Sequence, residues 1–218
     1  MAGRGARPGA ASVGRVVALM ALAGLFCGDR IRSLAASYAL HDYALNDCAH
    51  DCAATRRWPA VELVSAAVAA LVAWRAGPPY VCFAVIAVAL AVIDWRTSTL
   101  PDAITLPAYP IMMLALLPTG ELPRALAGGA ALTAVYGLLW FVRPEAMGFG
   151  DVKIAGLIGM AAAAMSWQAL LAAAFCGQLL GALYALSLLA TGRGTRHTQF
   201  PFGTFMLLGT LPTLCLAS

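Results

Sequence analysis

Two aspartates at the ends of apolar runs are the residues best suited to chemistry in this sequence. Asp94 closes the run Ala-Val-Ala-Leu-Ala-Val-Ile, and Asp151 begins another run. Ionisable side chains at membrane depth are costly, so they mark functional sites by default. Two carboxylates that share one site cannot both ionise easily, so one keeps a proton while the other is charged. Such a pair can hydrolyse a peptide bond, because the charged member takes a proton from water and the protonated member polarises the carbonyl.

The residues just before Asp151 favour the same interpretation. Gly148 and Gly150 have no Cβ, so we expect φ > 0 and a substrate strand that approaches their backbone closely. Asp151 would then lie at a helix N-terminus, where the helix dipole favours the anion. Structural alternatives remain open at this point. Asp94 can pair with Arg96 at a helix end, and Asp151 can cap its own helix.

The elements that must position these residues are membrane helices. The chain is 61% hydrophobic and 11% charged, whereas soluble domains carry about 25% charged residues. Because a membrane helix needs about 20 apolar residues, the sequence predicts an all-α, polytopic fold with about eight spans. These spans cover residues 13–28, 60–76, 79–95, 104–118, 124–142, 152–165, 167–191 and 203–217. Basic residues are scattered rather than clustered, which argues against nucleic acid as a partner and leaves the lipid bilayer.

The distribution of basic residues predicts the orientation of the spans. Loops 29–59, 95–103, 143–153 and 192–202 share one side, and Asp94 and Asp151 both lie at that face. This side holds nine of the 14 basic residues, which are Arg30, Arg32, Arg56, Arg57, Arg96, Arg143, Lys153, Arg193 and Arg196. The positive-inside rule therefore places the two aspartates at the cytoplasmic face, although three arginines of the N-terminal tail argue the other way.

Four segments resemble motifs of the type IV prepilin peptidases, and they occur in that family's order. Ile93-Asp-Trp-Arg to Pro107 resembles the first active-site motif, and Met147-Gly-Phe-Gly-Asp-Val-Lys-Ile resembles the second, G-x-G-D-x-K. Phe200-Pro-Phe-Gly-Thr-Phe resembles the C-terminal motif P-F-G-P-[FY]. Trp58-Pro-Ala-Val-Glu-Leu resembles the entry to the second span. The resemblance covers about residues 55–210.

The resemblance implies a membrane aspartyl endopeptidase that cleaves the leader from prepilins or pseudopilins, in the bacterial inner membrane with the active site facing the cytoplasm. It carries the catalytic role onto Asp94 and Asp151 and requires no cofactor for cleavage. Asp102 stands where family members often have Asn. Residues expected to bind substrate or support the site are Gly148, Gly150, Lys153, Glu62, Asp102, Pro201 and Gly203.

The N-terminal region departs from that family's pattern. We divide the chain into residues 1–59, a first span with a degenerate cytoplasmic loop, and 60–218, the membrane peptidase domain. Family members usually carry two C-x-x-C pairs in this region, whereas this chain has Cys48 and Cys52 at C-x₃-C spacing, with His41 and His50 nearby. We therefore predict no metal site, with zinc disfavoured at those cysteines. The family's second activity, N-methylation with S-adenosylmethionine, is put in doubt.

Two other functions remain as alternatives. In a proton- or ion-coupled transporter, paired membrane carboxylates relay protons, but such a protein needs a polar pathway at the bilayer midplane. A catalytically inactive paralogue could act in pilus or secretion assembly. The presence of both aspartates and both glycines favours the enzyme over this paralogue.

Overall fold

The structure is a computed structural model that describes residues 14–15, 17–24, 30, 33, 60–145, 147–192 and 201–217. All regular structure within these residues is helical. A helical segment at residues 17–24 precedes seven longer helices. These are α1 (Ala60–Arg75), α2 (Val81–Thr97), α3 (Asp102–Leu116), α4 (Leu122–Val142), α5 (Phe149–Met165), α6 (Trp167–Ala190) and α7 (Phe202–Leu216).

Among the described residues, helices lie within all eight predicted spans, so the prediction of an all-α polytopic membrane protein is confirmed. In the part of the chain that the structure describes, four helical stretches are long and apolar enough to cross a membrane, namely Pro78–Thr97, Asp102–Thr119, Leu122–Val142 and Trp167–Ala190. The first and second of these include the short 3-10 turns Pro78–Tyr80 and Leu117–Thr119. Helix α7 is apolar but shorter.

Helix α5 lies at the centre of the bundle. Every residue from Asp151 to Ala164 is buried except Lys153. The helix packs against α3, α4, α6 and α7. Helix α5 is enclosed by other helices. Its side chains are accordingly apolar on nearly all sides, as expected for a helix without a solvent face.

Glycines let two pairs of helices approach until their backbones touch. A Cβ added to Gly159 of α5 would lie 2.5 Å from the carbonyl oxygen of Gly128 in α4. A Cβ added to Gly177 of α6 would lie 2.9 Å from the Cα of Met206 in α7. Gly209 of α7 meets the Gly177 backbone in the same way. Small residues permit such contacts in membranes, and they define two closely packed units, the α4–α5 pair and the α6–α7 pair.

The C-terminal end of α5 is closed by Arg124, from the first turn of α4. Its Nε donates to Ala163 O at 2.7 Å, and its Nη2 donates to Ala164 O at 2.6 Å and to Met165 O at 2.9 Å. The last carbonyls of a helix have no partner within the helix, and the dipole makes that end negative. Arg124 satisfies both requirements, and Nη2 also lies 3.2 Å from Glu121 Oε2.

Candidate active site

The two aspartates meet although they lie on different helices and 57 positions apart. Asp94 is in the last turn of α2, and Asp151 is the third residue of α5. Their exposed fractions are only 3% and 7%. A Cβ built on Gly203 would lie 3.2 Å from Asp94 Oδ2 and 3.1 Å from Asp151 Oδ1. The two oxygens are therefore separated by no more than the sum of these distances, and both face Gly203.

Three helix ends converge to make this arrangement. Helix α2 ends just beyond Asp94, because Ser98 takes a left-handed conformation (φ 49°) and its N–H donates to Asp94 O at 2.8 Å. Helix α5 begins at Phe149, after Gly148 in extended conformation. Helix α7 begins at Phe202, after Pro201. Each acid is thus held by a helix that starts or stops beside it, so a rigid scaffold fixes both.

The structure shows neither of the two alternatives, an ion pair between Asp94 and Arg96 or Asp151 as the cap of its own helix. Among the residues that the structure describes, Asp94 makes no ion pair with Arg96, and its carboxylate accepts hydrogen bonds from Thr204 instead. Asp151 does not occupy the N-cap of α5, because Gly148 does. Asp151 lies three residues further along, still in the first turn of the helix, and donates its N–H to Gly148 O at 3.1 Å.

Thr204 is a site residue that the sequence did not reveal. Its N–H donates to Asp94 Oδ2 at 2.7 Å, and its Oγ1 lies 2.9 Å from the same oxygen. The hydroxyl also lies 3.2 Å from Ala91 O. The one available signal was the motif itself, because a threonine stands here where P-F-G-P-[FY] has its second proline.

The positive φ predicted for Gly148 and Gly150 is wrong, and the approach of a substrate strand stays a prediction. Gly148 has φ −69° and ψ 144°, and Gly150 is helical, so neither has a positive φ. Gly150 does require a close approach, but its neighbour is this chain. A Cβ there would lie 2.9 Å from both Cβ and Cδ1 of Leu100, in the connection between α2 and α3. At Gly148, a Cβ would make only an ordinary contact, 3.7 Å from Asp151 Oδ2.

Lys153 and Asp102 lie together at the edge of the site. The Lys153 ammonium forms an ion pair with Asp102, and it also lies 4.9 Å from the centre of the Phe149 ring. The Lys153 carbonyl accepts a hydrogen bond from Tyr109 Oη at 2.7 Å. These contacts fasten the start of α3 to the first turn of α5, so the structure gives both residues a supporting position.

The remaining predicted residues fall on two other helices. Glu62 lies in the first turn of α1, as expected from the preceding proline, and is partly buried. Pro201 occupies the N-cap position of α7, two residues before Gly203. An apolar cavity of about 430 Å³ lies between α1, α2 and α7, with Thr204 and Trp95 in its wall. The cavity therefore reaches the residue that holds Asp94.

No cluster of three or more potential metal ligands occurs in the part of the chain that the structure describes. The candidates of the degenerate loop, Cys48 and Cys52 with His41 and His50, lie outside the described residues. The prediction that zinc is not bound there stays a prediction.

Comparisons with known proteins point in one direction. A sequence model of the type IV leader peptidase family matches residues 81–186, which include both aspartates. The chain is 32% identical over 199 residues to a prepilin leader peptidase/N-methyltransferase of Pseudomonas putida, covering 84% of this chain and 67% of that protein. A protein of the same name from Burkholderia pseudomallei (strain K96243) is 30% identical over 204 residues, covering 86% of this chain and 64% of the relative. One from Aeromonas salmonicida is 29% identical over 168 residues, covering 72% and 57%.

The chain thus spans between 57% and 67% of the length of these relatives. No solved structure matches it.

Proposed function

We infer that this chain, which belongs to the type IV leader peptidase family, is a membrane aspartyl endopeptidase that removes the leader from prepilins or pseudopilins. The observation that carries this inference is the meeting of Asp94 and Asp151 at Gly203. Two buried carboxylates from separate helices, facing one glycine, form the constellation that peptide hydrolysis without a metal requires.

The proposed reaction uses the two acids in different protonation states. The charged carboxylate takes a proton from water, and the water oxygen bonds to the scissile carbonyl carbon while the protonated carboxyl donates to the carbonyl oxygen. The C–N bond of the tetrahedral intermediate then breaks, and a proton passes to the leaving amine. The carboxyl that took the proton from water gives it to the amine, and the other carboxyl recovers its proton from a hydroxyl of the intermediate. Both acids thus return to their starting states, so no cofactor is needed for cleavage.

We place this reaction at the cytoplasmic face of the inner membrane. Asp94 lies in a last helical turn and Asp151 in a first turn, so both are near one end of the bundle. The basic residues of the loops at that end favour the cytoplasm. A transporter needs its acids near the bilayer midplane instead. The apolar cavity beside Thr204 supports this placement, because an apolar substrate segment lying in it would reach Asp94 from within the membrane.

We further propose that this chain cleaves without methylating its product. The relatives' printed names include an N-methyltransferase, but this chain lacks regular C-x-x-C pairs to order the loop at residues 29–59. Without them, an S-adenosylmethionine site would have to bear the cost of ordering that loop on binding.

Co-expression of the full chain with candidate prepilins tests both proposals. We expect loss of the leader, seen as a shift on a gel, and a mature N-terminus whose mass shows no added methyl group. The matched control is the Asp94→Asn, Asp151→Asn double variant, which should leave the precursor intact. A precursor that keeps its leader beside the wild-type chain contradicts the peptidase, and a methylated mature product contradicts only the second proposal.

A further inference from the structure

We propose that Thr204 is a positioning residue that stabilises Asp94 as the charged member of the catalytic pair. Its hydroxyl stays hydrogen-bonded to Asp94 when Asp94 takes up a proton during the reaction. The proposal rests on the proposed function, since it assigns the base and the acid within that same pair. It goes further, because the sequence and the motifs leave those two roles interchangeable between Asp94 and Asp151.

The geometry is asymmetric around the two acids. Thr204 is buried, with an exposed fraction of 5%, and directs two donors at a single oxygen, Asp94 Oδ2. The N–H contact of 2.7 Å is short, as in hydrogen bonds to a charged acceptor, and the hydroxyl contact of 2.9 Å is an ordinary hydrogen bond. Hydrogen bonds to the charged form of a carboxyl favour that form. The dipole of α5 favours the anion at Asp151, and the Gly148 backbone donates to that carboxyl. Two direct hydrogen bonds to one oxygen of Asp94 outweigh this single donor and the dipole. The single proton shared by the pair therefore resides on Asp151, which makes Asp151 the acid and Asp94 the base.

The Thr204 hydroxyl also has a second acceptor within reach. Its Oγ1 lies 3.2 Å from Ala91 O, and a hydroxyl has one proton to donate but two lone pairs with which to accept. While Asp94 is charged, the hydroxyl donates to Oδ2. After Asp94 has taken a proton from water, the hydroxyl can donate to Ala91 O and accept a hydrogen bond from the new acid. The same side chain thus remains bonded to Asp94 in both protonation states, with no buried donor left unpaired.

This arrangement depends on the threonine that this chain has at position 204. Proline, which the family motif has at this position, offers neither an N–H nor a hydroxyl. A protein with proline here must hold its aspartate through other groups. Threonine supplies both donors from one residue, because the first turn of α7 leaves the Thr204 N–H without a partner inside the helix.

Variants at this position separate the hydroxyl from the shape of the side chain. Thr204→Val keeps the volume and the N–H but removes the hydroxyl, and Thr204→Ser restores it. The matched control is Thr210→Val, because Thr210 is a buried threonine of the same helix whose hydroxyl donates to Met206 O at 2.7 Å. With purified full-length protein and a prepilin substrate, we expect Thr204→Val to lower kcat about 10- to 100-fold, the range for a hydrogen bond to a charged group. KM should stay within about twofold, and Thr204→Ser should keep most of the wild-type kcat.

Three results would overturn the proposal. The first is a wild-type kcat in Thr204→Val. The second is a Thr204→Ser variant as slow as Thr204→Val, which would assign the effect to the methyl group. The third is an equal loss in Thr210→Val, which would assign it to the packing of α7. If Thr204→Val does not accumulate in the membrane, Thr204→Ala is measured in its place and judged by the same criteria.

A second measurement needs no substrate. A small epoxide is opened by a charged carboxylate, so we expect its ester adduct on Asp94 in peptide mass spectra of the wild-type protein. Thr204→Val should move a measurable share of the adduct to Asp151. An adduct found mainly on Asp151 of the wild type contradicts the assignment. A wild-type chain that fails to cleave prepilin contradicts the proposed function, whereas the adduct position still tests Thr204.

Discussion

The two ends of helix α5 each carry a buried or half-buried charged group, but in opposite electrostatic settings. At the C-terminal end, the Arg124 side chain meets three carbonyl oxygens and a carboxylate, all of complementary sign. At the N-terminal end, Asp151 faces a second carboxyl, that of Asp94, across Gly203. A charge surrounded by complementary partners stabilises a fold, whereas a carboxylate set against another carboxylate is difficult to explain by stability alone. The comparison predicts that the contacts at the C-terminal end govern stability and that those at the N-terminal end govern activity.

The largest effect is expected at the N-terminal end. Asp94→Asn and Asp151→Asn should each lower the rate of prepilin cleavage by about 10²- to 10⁴-fold, because an amide keeps the shape but cannot exchange the proton. Cleavage is scored on a gel and the amount of membrane-inserted protein on a blot. The amount should not change. Near wild-type processing by either variant would show that this residue is not catalytic.

The spacing between the acids gives the next largest effect. Gly203→Ala would place a methyl group about 3 Å from both carboxylates and from Ile154 Cδ1, so one of these groups must move. We expect a loss of kcat on the order of 10-fold, because a neighbour must move by a few tenths of an ångström, less than the misplacement of about 1 Å that costs about 100-fold. The matched control is Gly137→Ala in α4, where the new methyl group would make only an ordinary contact, 3.7 Å from Val152 Cγ1. Equal rates for the two variants would remove Gly203 from the site.

The C-terminal end should respond in stability and not in chemistry. Arg124→Ala leaves the carbonyls of Ala163, Ala164 and Met165 without their donors, so we expect the free energy of unfolding to fall by about 1.5–3 kcal/mol. Thermal unfolding in detergent measures this change. The kcat of the protein that remains folded should match the wild type. A fall in kcat with unchanged thermal stability would reverse the assignment of roles to the two ends.

The smallest effect is expected for the surface ion pair near the site. Asp102 is 57% exposed, so its bond to Lys153 is screened by solvent. Exposed pairs of this kind contribute about 0–1 kcal/mol, and Asp102→Asn retains an oxygen that can accept from Lys153. Cleavage by this variant should stay close to the wild-type rate. A loss comparable to that of Asp94→Asn would extend the catalytic group beyond the two buried acids.

The helices and the pairing of the aspartates could be predicted from local patterns. Apolar run lengths located the spans, with ends within a few residues of α1 to α7. The short motifs around Asp94 and Asp151 marked the two acids that the fold brings together. Both features depend on residues that are adjacent in the sequence, so a single sequence is enough to find them.

The contacts that tune the site could not be predicted in this way. Thr204 meets Asp94 across 110 positions of sequence, and Gly150 needs no Cβ because Leu100 lies against it. No motif or spacing in the sequence marks Arg124, although it closes a helix about 40 residues away. Each of these contacts depends on how closely two helices approach, and hydropathy and spacing contain no information about that distance.

The glycine contacts also determine which parts of the bundle can move. Backbone atoms interlock within the α4–α5 pair and within the α6–α7 pair, so rotation or sliding inside either pair would force main-chain atoms together. Asp151 belongs to the first pair and Gly203 to the second, so the boundary between the two rigid bodies passes through the site. A displacement of one pair relative to the other would therefore change the separation between Asp151 and Gly203, whereas a motion within either pair would not.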